Sequence, residues 1–139
     1  MIGLRIGDKA EGVLAFDLRD VLRALGPDAL GWTWTVSAVE ETGEEPWATG
    51  EGAAELEALE RSGERVTRSR LVRIARDIQQ TIWGEFHAHR DRASTVPFVR
   101  VVAFDSAYFE VWCGDDGVIA RLRAAFEDTE PILPRLPRP

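Results

Sequence analysis

The chain has 139 residues, 45% of them hydrophobic and 29% charged, the balance of one folded domain rather than a disordered segment. Its single cysteine, Cys113, excludes an internal disulfide and a multi-cysteine zinc site. No apolar run reaches the ~20 residues of a membrane span, and the start Met1-Ile2-Gly3-Leu4-Arg5 lacks a secretory leader's basic-then-apolar order, so a cytoplasmic protein is expected.

Acidic residues number 24 and basic residues 17, a net charge of −7. That balance weighs against nucleic acid, which needs cationic patches. It suits a basic protein partner, and it also keeps a small domain soluble. The charge is blocked: Glu40 to Glu60 holds eight Glu and no Lys or Arg, while Arg61 to Arg76 holds six Arg and one Glu.

Along the chain, Ile2, Leu4 and Ile6 alternate with Gly3 and Arg5, a half-buried strand. Val13 to Phe16 reads as a short second strand. Asp17 is placed as a helix N-cap before Leu18, Val21, Leu22 and Leu25, with Gly26-Pro27 closing the helix. Gly31 to Val39 is a strand with Trp32, Trp34, Val36 and Ala38 on one side. Glu40 to Gly52 reads as a solvated acidic loop with Trp47 as its apolar pin. Residues 53–62 fit a helix through Ala53, Leu56 and Leu59, or a strand through Ala54, Leu56 and Ala58; the strand is slightly favoured. Ser69 to Trp83 is the strongest helix, with Leu71, Ile74, Ala75, Ile78 and Ile82 in one stripe. After Gly84 the period changes to two, giving strands at Glu85–Arg90, Phe98–Phe104 and Tyr108–Cys113, the last two a hairpin. Val118, Ile119, Leu122, Ala125 and Phe126 make a final helix, and Pro131 to Pro139 is a proline-rich tail of extended, polyproline-like character.

This order predicts a single α+β domain over residues 1–130, an antiparallel sheet with helices packed on one face. On the last hairpin Val99, Val101 and Ala103 turn to the helices with Phe109, Val111 and Cys113. Phe98, Arg100, Val102 and Phe104 lie on the other face with Tyr108, Glu110 and Trp112. That face is apolar for a surface: it marks an interface, or it is covered by the N-terminal strands or the tail.

Glu85, His87 and His89 share one strand face, and imidazole with carboxylate suits zinc; a further ligand would come from Asp105 or Glu110. Asp105-Ser106 is explained by turn chemistry without a catalytic base. Cys113 falls on the inward face as an apolar filler. There is no phosphate-binding glycine loop, and no cofactor is implied. The tail carries a Pro-x-x-Pro pattern of the kind found in peptide ligands.

From about Val66 to Glu130 the chain resembles a group of small uncharacterised, immunity-protein-like bacterial α+β proteins. The resemblance rests on Ile82-Trp83-Gly84-Glu85-Phe86, on Asp105-Ser106-Ala107-Tyr108-Phe109-Glu110-Val111 and on Leu122-Arg123-Ala124-Ala125-Phe126. It implies a cytoplasmic bacterial protein with a helix–three-strand–helix unit and carries over no catalytic residue. The function expected is a non-enzymatic inhibitor of immunity or antitoxin type, binding a basic toxin domain. Its interface is expected at Glu40, Glu41, Glu44, Glu45, Trp47 and Glu51 with Tyr108, Glu110 and Trp112. The alternatives are a metal-binding domain or enzyme on Glu85, His87 and His89, and a module that self-assembles, as a homodimer for example, through the aromatic sheet face.

Overall fold

The computed structural model describes residues 1–91 and 93–133. Its strands are β1 (Ile2–Ile6), β2 (Lys9–Ala10), β3 (Val13–Leu14), β4 (Thr33–Ser37), β5 (Trp47–Thr49), β6 (Val66–Thr67), β7 (Gln80–His89), β8 (Val99–Phe104), β9 (Tyr108–Cys113) and β10 (Thr129–Ile132). Four α-helices, α1 (Leu18–Ala24), α2 (Ala53–Ser62), α3 (Arg68–Arg76) and α4 (Asp116–Ala125), and a 3-10 turn at Pro27–Gly31 complete the order. Eight strands form one antiparallel sheet in the order β10-β1-β9-β8-β7-β4-β6, with β5 joined to the first half of β7; β2 and β3 make a separate small hairpin. The fold class is the expected one, and the helix–three-strand–helix unit is α3-β7-β8-β9-α4.

Strand alternation divides the sheet into two chemically different faces. Leu4, Ile6, Trp34, Val36, Phe86, Ala88, Val99, Val101, Ala103, Phe109, Val111 and Cys113 point to one side and enter a single hydrophobic core with Leu18, Leu22, Leu56, Leu71, Ile74 and Leu122 from the helices. The helices touch one another in the sequence α2-α3-α1-α4 and form one layer. Burial of the core pushes the Cys113 thiol pKa up, as befits an apolar filler rather than a nucleophile.

Three segments depart from expectation. Residues 53–62 are helical. The would-be strand residues Ala54 and Ala58 are exposed, whereas Leu56 and Leu59 are buried. Ala, Leu and Glu are strong helix formers, and Gly63 closes the helix at φ 67°.

The long helix stops at Arg76, not Trp83. It starts at Arg68, one residue before the expected Ser69, with the Thr67 hydroxyl accepting the Arg70 N–H at 3.2 Å. Its end is set by tertiary packing. The Gly52 N–H donates to the Asp77 carbonyl at 2.8 Å and the Gln79 N–H to the Thr49 carbonyl at 2.8 Å. A Cβ on Gly52 would lie 2.5 Å from the Ile74 carbonyl oxygen, so only glycine lets the chain approach the end of α3 this closely. Beyond it Ile78 is still buried, but Thr81, Ile82 and Trp83 extend β7 instead, as β-branched and aromatic residues favour.

The acidic loop is also more ordered than expected. Its residues 47–49 form β5, and Ala48 is the buried residue while Trp47 is 56% exposed, so Trp47 is not an apolar pin. At the C-terminus the sheet continues through Pro131 and Ile132, paired with Leu4 and Gly3. Residues 134–139, the rest of the expected tail, lie outside the described residues.

Asp17 is the buried polar residue that joins the layers. It stands at the head of α1, where the Asp20 carboxylate accepts its N–H at 2.9 Å. Its own carboxylate accepts the Thr81 N–H at 2.9 Å and the Thr81 hydroxyl at 2.7 Å. Removing it strands two buried donors, so Asp17→Ala is expected to cost roughly 2–4 kcal/mol. Urea unfolding followed by circular dichroism checks this; a loss under about 1 kcal/mol would show that the bonds to Thr81 contribute little.

Candidate functional site

The side of the sheet without helices carries polar and aromatic residues. From β1 come Gly3 and Arg5, from β9 Tyr108, Glu110 and Trp112, from β8 Arg100, Val102 and Phe104, from β7 Glu85, His87 and His89, and from β4 Thr33, Thr35 and Ser37. The register puts Arg5 beside Glu110, Val102 between Glu110 and Glu85, and Arg100 between Trp112 and His87. β1 joins this surface as a neighbour of β9 instead of covering it.

Its centre is an ion cluster. The Arg100 Nε donates to Glu85 Oε2 at 3.0 Å and an Nη to Glu85 Oε1 at 3.1 Å, a two-pronged pair. Arg100 also pairs with Glu41 and lies 3.9 Å from Glu40. The Glu85 carboxylate is bonded to His87 as well, and accepts the Glu40 N–H at 3.2 Å. Glu85 is 1% exposed. Burial alone would raise its pKa, but the bonds from His87, Arg100 and the Glu40 N–H outweigh this and hold it at about 2. Burial disfavours the Arg100 cation in the same way, and Glu85 and Glu41 more than offset that and raise its pKa.

Beside the cluster the aromatic residues frame an open concavity of about 780 Å³. Phe104 stacks on Tyr108 at 5.1 Å and meets Trp83 edge-on at 6.2 Å. The Arg5 guanidinium sits 4.3 Å from the centre of the Tyr108 ring and bonds Glu110 at 3.3 Å. The other Glu110 oxygen accepts the Trp112 indole N–H at 3.2 Å. The Trp112 ring lies over Gly3, where an added Cβ would fall 2.6 Å from it. Glu41, Thr42, Asp105, Ala107, Ile132 and Leu133 complete the walls. The turn at the mouth places Asp105 at φ 49° and Ser106 at φ 53° and is closed by the Ala107 N–H on the Phe104 carbonyl at 2.8 Å. This is a left-handed hairpin turn, with Asp and Ser serving as turn residues.

Of the residues expected at an interface, Glu41, Tyr108, Glu110 and Trp112 meet in this concavity, and Glu40 stands at its rim on Arg100. Glu44, Glu45, Trp47 and Glu51 are exposed elsewhere. Glu45 faces Glu57, Glu60 and Arg61 across a separate shallow cleft, and Trp47 heads β5 opposite Trp83. Trp83, Arg100 and Arg5 belong to the site and were not singled out. Trp83 was hidden by the overlong helix, and Arg100 was visible only as a charge in an apolar strand.

The Glu85, His87 and His89 side chains do share a face, but His89 stands apart from the other two. Glu85 serves His87 and Arg100, while His89 lies 3.4 Å from the Thr35 hydroxyl. Burial, then Arg65 and His87, lower the His89 pKa, against a backbone bond to Ser94. Among the described residues no three His, Cys, Asp or Glu side chains are grouped to hold a metal ion. A second cleft of about 470 Å³, lined by Asp8, Phe16, Arg23 and Phe126, lies between α1 and α4; its Asp8 carboxylate is occupied by the Glu127 and Asp128 N–H groups.

Comparison with protein-family models, with curated proteins and with solved structures finds no match to this chain.

Glu85→Gln is expected to destabilise the fold by roughly 2–4 kcal/mol at neutral pH, because Arg100 loses its buried counter-ion. The depressed acid contributes fully above its unfolded value of 4.5 and loses that contribution as the pH falls to about 2. Urea titrations of both proteins across that window should therefore converge at the acid end; a gap independent of pH would show that the effect is one of packing.

Proposed function

We propose that this chain is a non-enzymatic protein-binding domain, an acidic inhibitor of immunity or antitoxin type that neutralises a basic bacterial toxin domain in the cytoplasm. The observation that carries this reading is the aromatic concavity on the helix-free sheet face, edged by carboxylates. Trp, Tyr and Arg are the residues on which interfaces depend most, and Trp83, Tyr108, Trp112, Arg5 and Arg100 are gathered there. The net charge of −7 gives long-range attraction to a basic partner. Rigid presentation supports the same reading. The floor is a continuous antiparallel sheet, and the loop bearing Glu40 and Glu41 is fastened to it through Arg100 and Glu85. Such a face is organised before the partner arrives, which reduces the ordering cost of association.

The test uses the full chain as bait in extract of the bacterium that encodes it, with Trp112→Ala and Glu41→Gln as paired controls. The expected catch is a basic protein whose toxicity the bait suppresses on co-expression. Each variant should weaken its retention about tenfold or more, and added salt should weaken it further. Equal retention by the wild type and both variants, or a captured protein that is acidic or harmless to cells, would overturn the proposal.

A further inference from the structure

We propose, building on that reading, that the concavity receives one cationic side chain of the partner, an arginine or lysine seated against Trp83 and Phe104 and paired with Asp105 and Glu41. The surface already contains one such arrangement. Arg5 lies over the Tyr108 ring with Glu110 as its counter-ion, an internal example of a guanidinium bound by a ring and a carboxylate.

The neighbouring position has the same parts without the cation. The edge-on pair of Trp83 and Phe104 supplies the ring surface. Asp105 sits at the mouth, held there by the left-handed turn, and has no ion-pair partner within the described residues. The two guanidiniums at the site do not satisfy it: Arg5 is matched by Glu110, and Arg100 is shared among Glu85, Glu41 and Glu40. Glu41, Asp105 and Glu110 line the concavity with Arg5 and Arg100, and Glu40 and Glu85, the latter bonded to His87, lie against Arg100, so five carboxylates stand around two guanidiniums and one imidazole. The local field therefore favours a further positive charge, and the rings favour one carried on an aliphatic stem.

The probe is acetyl-Gly-Arg-Gly-amide, with the Lys, Leu and Glu tripeptides beside it, titrated into the full chain while the indole N–H signals of its five tryptophans are followed by NMR. The Arg and Lys peptides are expected to move the Trp83 signal with dissociation constants of about 1–20 mM and to leave Trp34 and Trp47 in place. Asp105→Asn keeps a residue that tolerates positive φ and removes the charge; it should weaken the Arg peptide about threefold or more. Equal shifts with the Leu peptide would make the concavity an apolar pocket and overturn the inference. So would no movement of Trp83, or an Arg response unchanged in Asp105→Asn. If partner capture still depends on Trp112 in that event, the anchor is wrong and the protein-binding reading stands; if capture also fails, both fall.

Discussion

A guanidinium on the bare side of a sheet has to be neutralised where it stands, and Arg100 is neutralised by acids from two separate stretches of chain. Glu85 comes from the adjacent strand, Glu40 and Glu41 from the loop after β4. The pairing therefore does two things at once. It allows a fully buried carboxylate to remain ionised, and it pins an acidic loop against one wall of the concavity. Neither is cheap, because both ions give up water. The two-pronged geometry and the additional bonds from His87 and the Glu40 backbone are what offset that cost. Val102, fully buried although it lies outside the main core, occupies the row between Glu85 and Glu110. The helix-free face thus has a small interior of its own, half ionic and half apolar.

The opposite face is held by simpler means. Apolar residues at every second position of five central and flanking strands meet a layer of four helices, and the only buried acid linking sheet to helix is Asp17 among the described residues. Its contact with Thr81 falls at the point where the chain stops being helix and becomes strand. The adjacent Gly50-Glu51-Gly52 segment closes on the same junction, with Gly50 at φ 99°. Local stripe and global pairing conflict there, and pairing prevails because several backbone bonds and one buried carboxylate act together.

Much of this was legible in the sequence. The inward and outward sets of β8 and β9 followed from period-two alternation alone, because both strands carry large residues on one side and no glycine or proline interrupts them. The α+β class followed from hairpin links between consecutive strands. What was hidden had a common cause. Ile78 and Ile82 continue a helical stripe and equally suit a strand, so sequence periodicity carried α3 too far and concealed Trp83. Residues 53–62 offered two apolar spacings, and only burial distinguishes them. β5, β6 and β10 are two to four residues long, too short for any period to register; each exists because a longer neighbour offers a free edge. At the site, the aromatic and acidic residues of β9 were evident, but the role of Arg100 depended on a loop whose Glu41 lies 59 residues away in sequence, a separation that no local periodicity registers.

Gly3 and Trp112 are joined by more than proximity. The indole occupies the volume that any side chain at position 3 would claim, so the smallest residue on one strand is the socket for one of the largest on the next. Neither position is then free to vary alone: a bulkier residue at 3 evicts the ring, and a smaller residue at 112 leaves the space over Gly3 unfilled. Sequence drift at this surface would have to travel through the pair as a unit, and the contour of the face around Trp112 is inherited from a residue that contributes no side chain of its own.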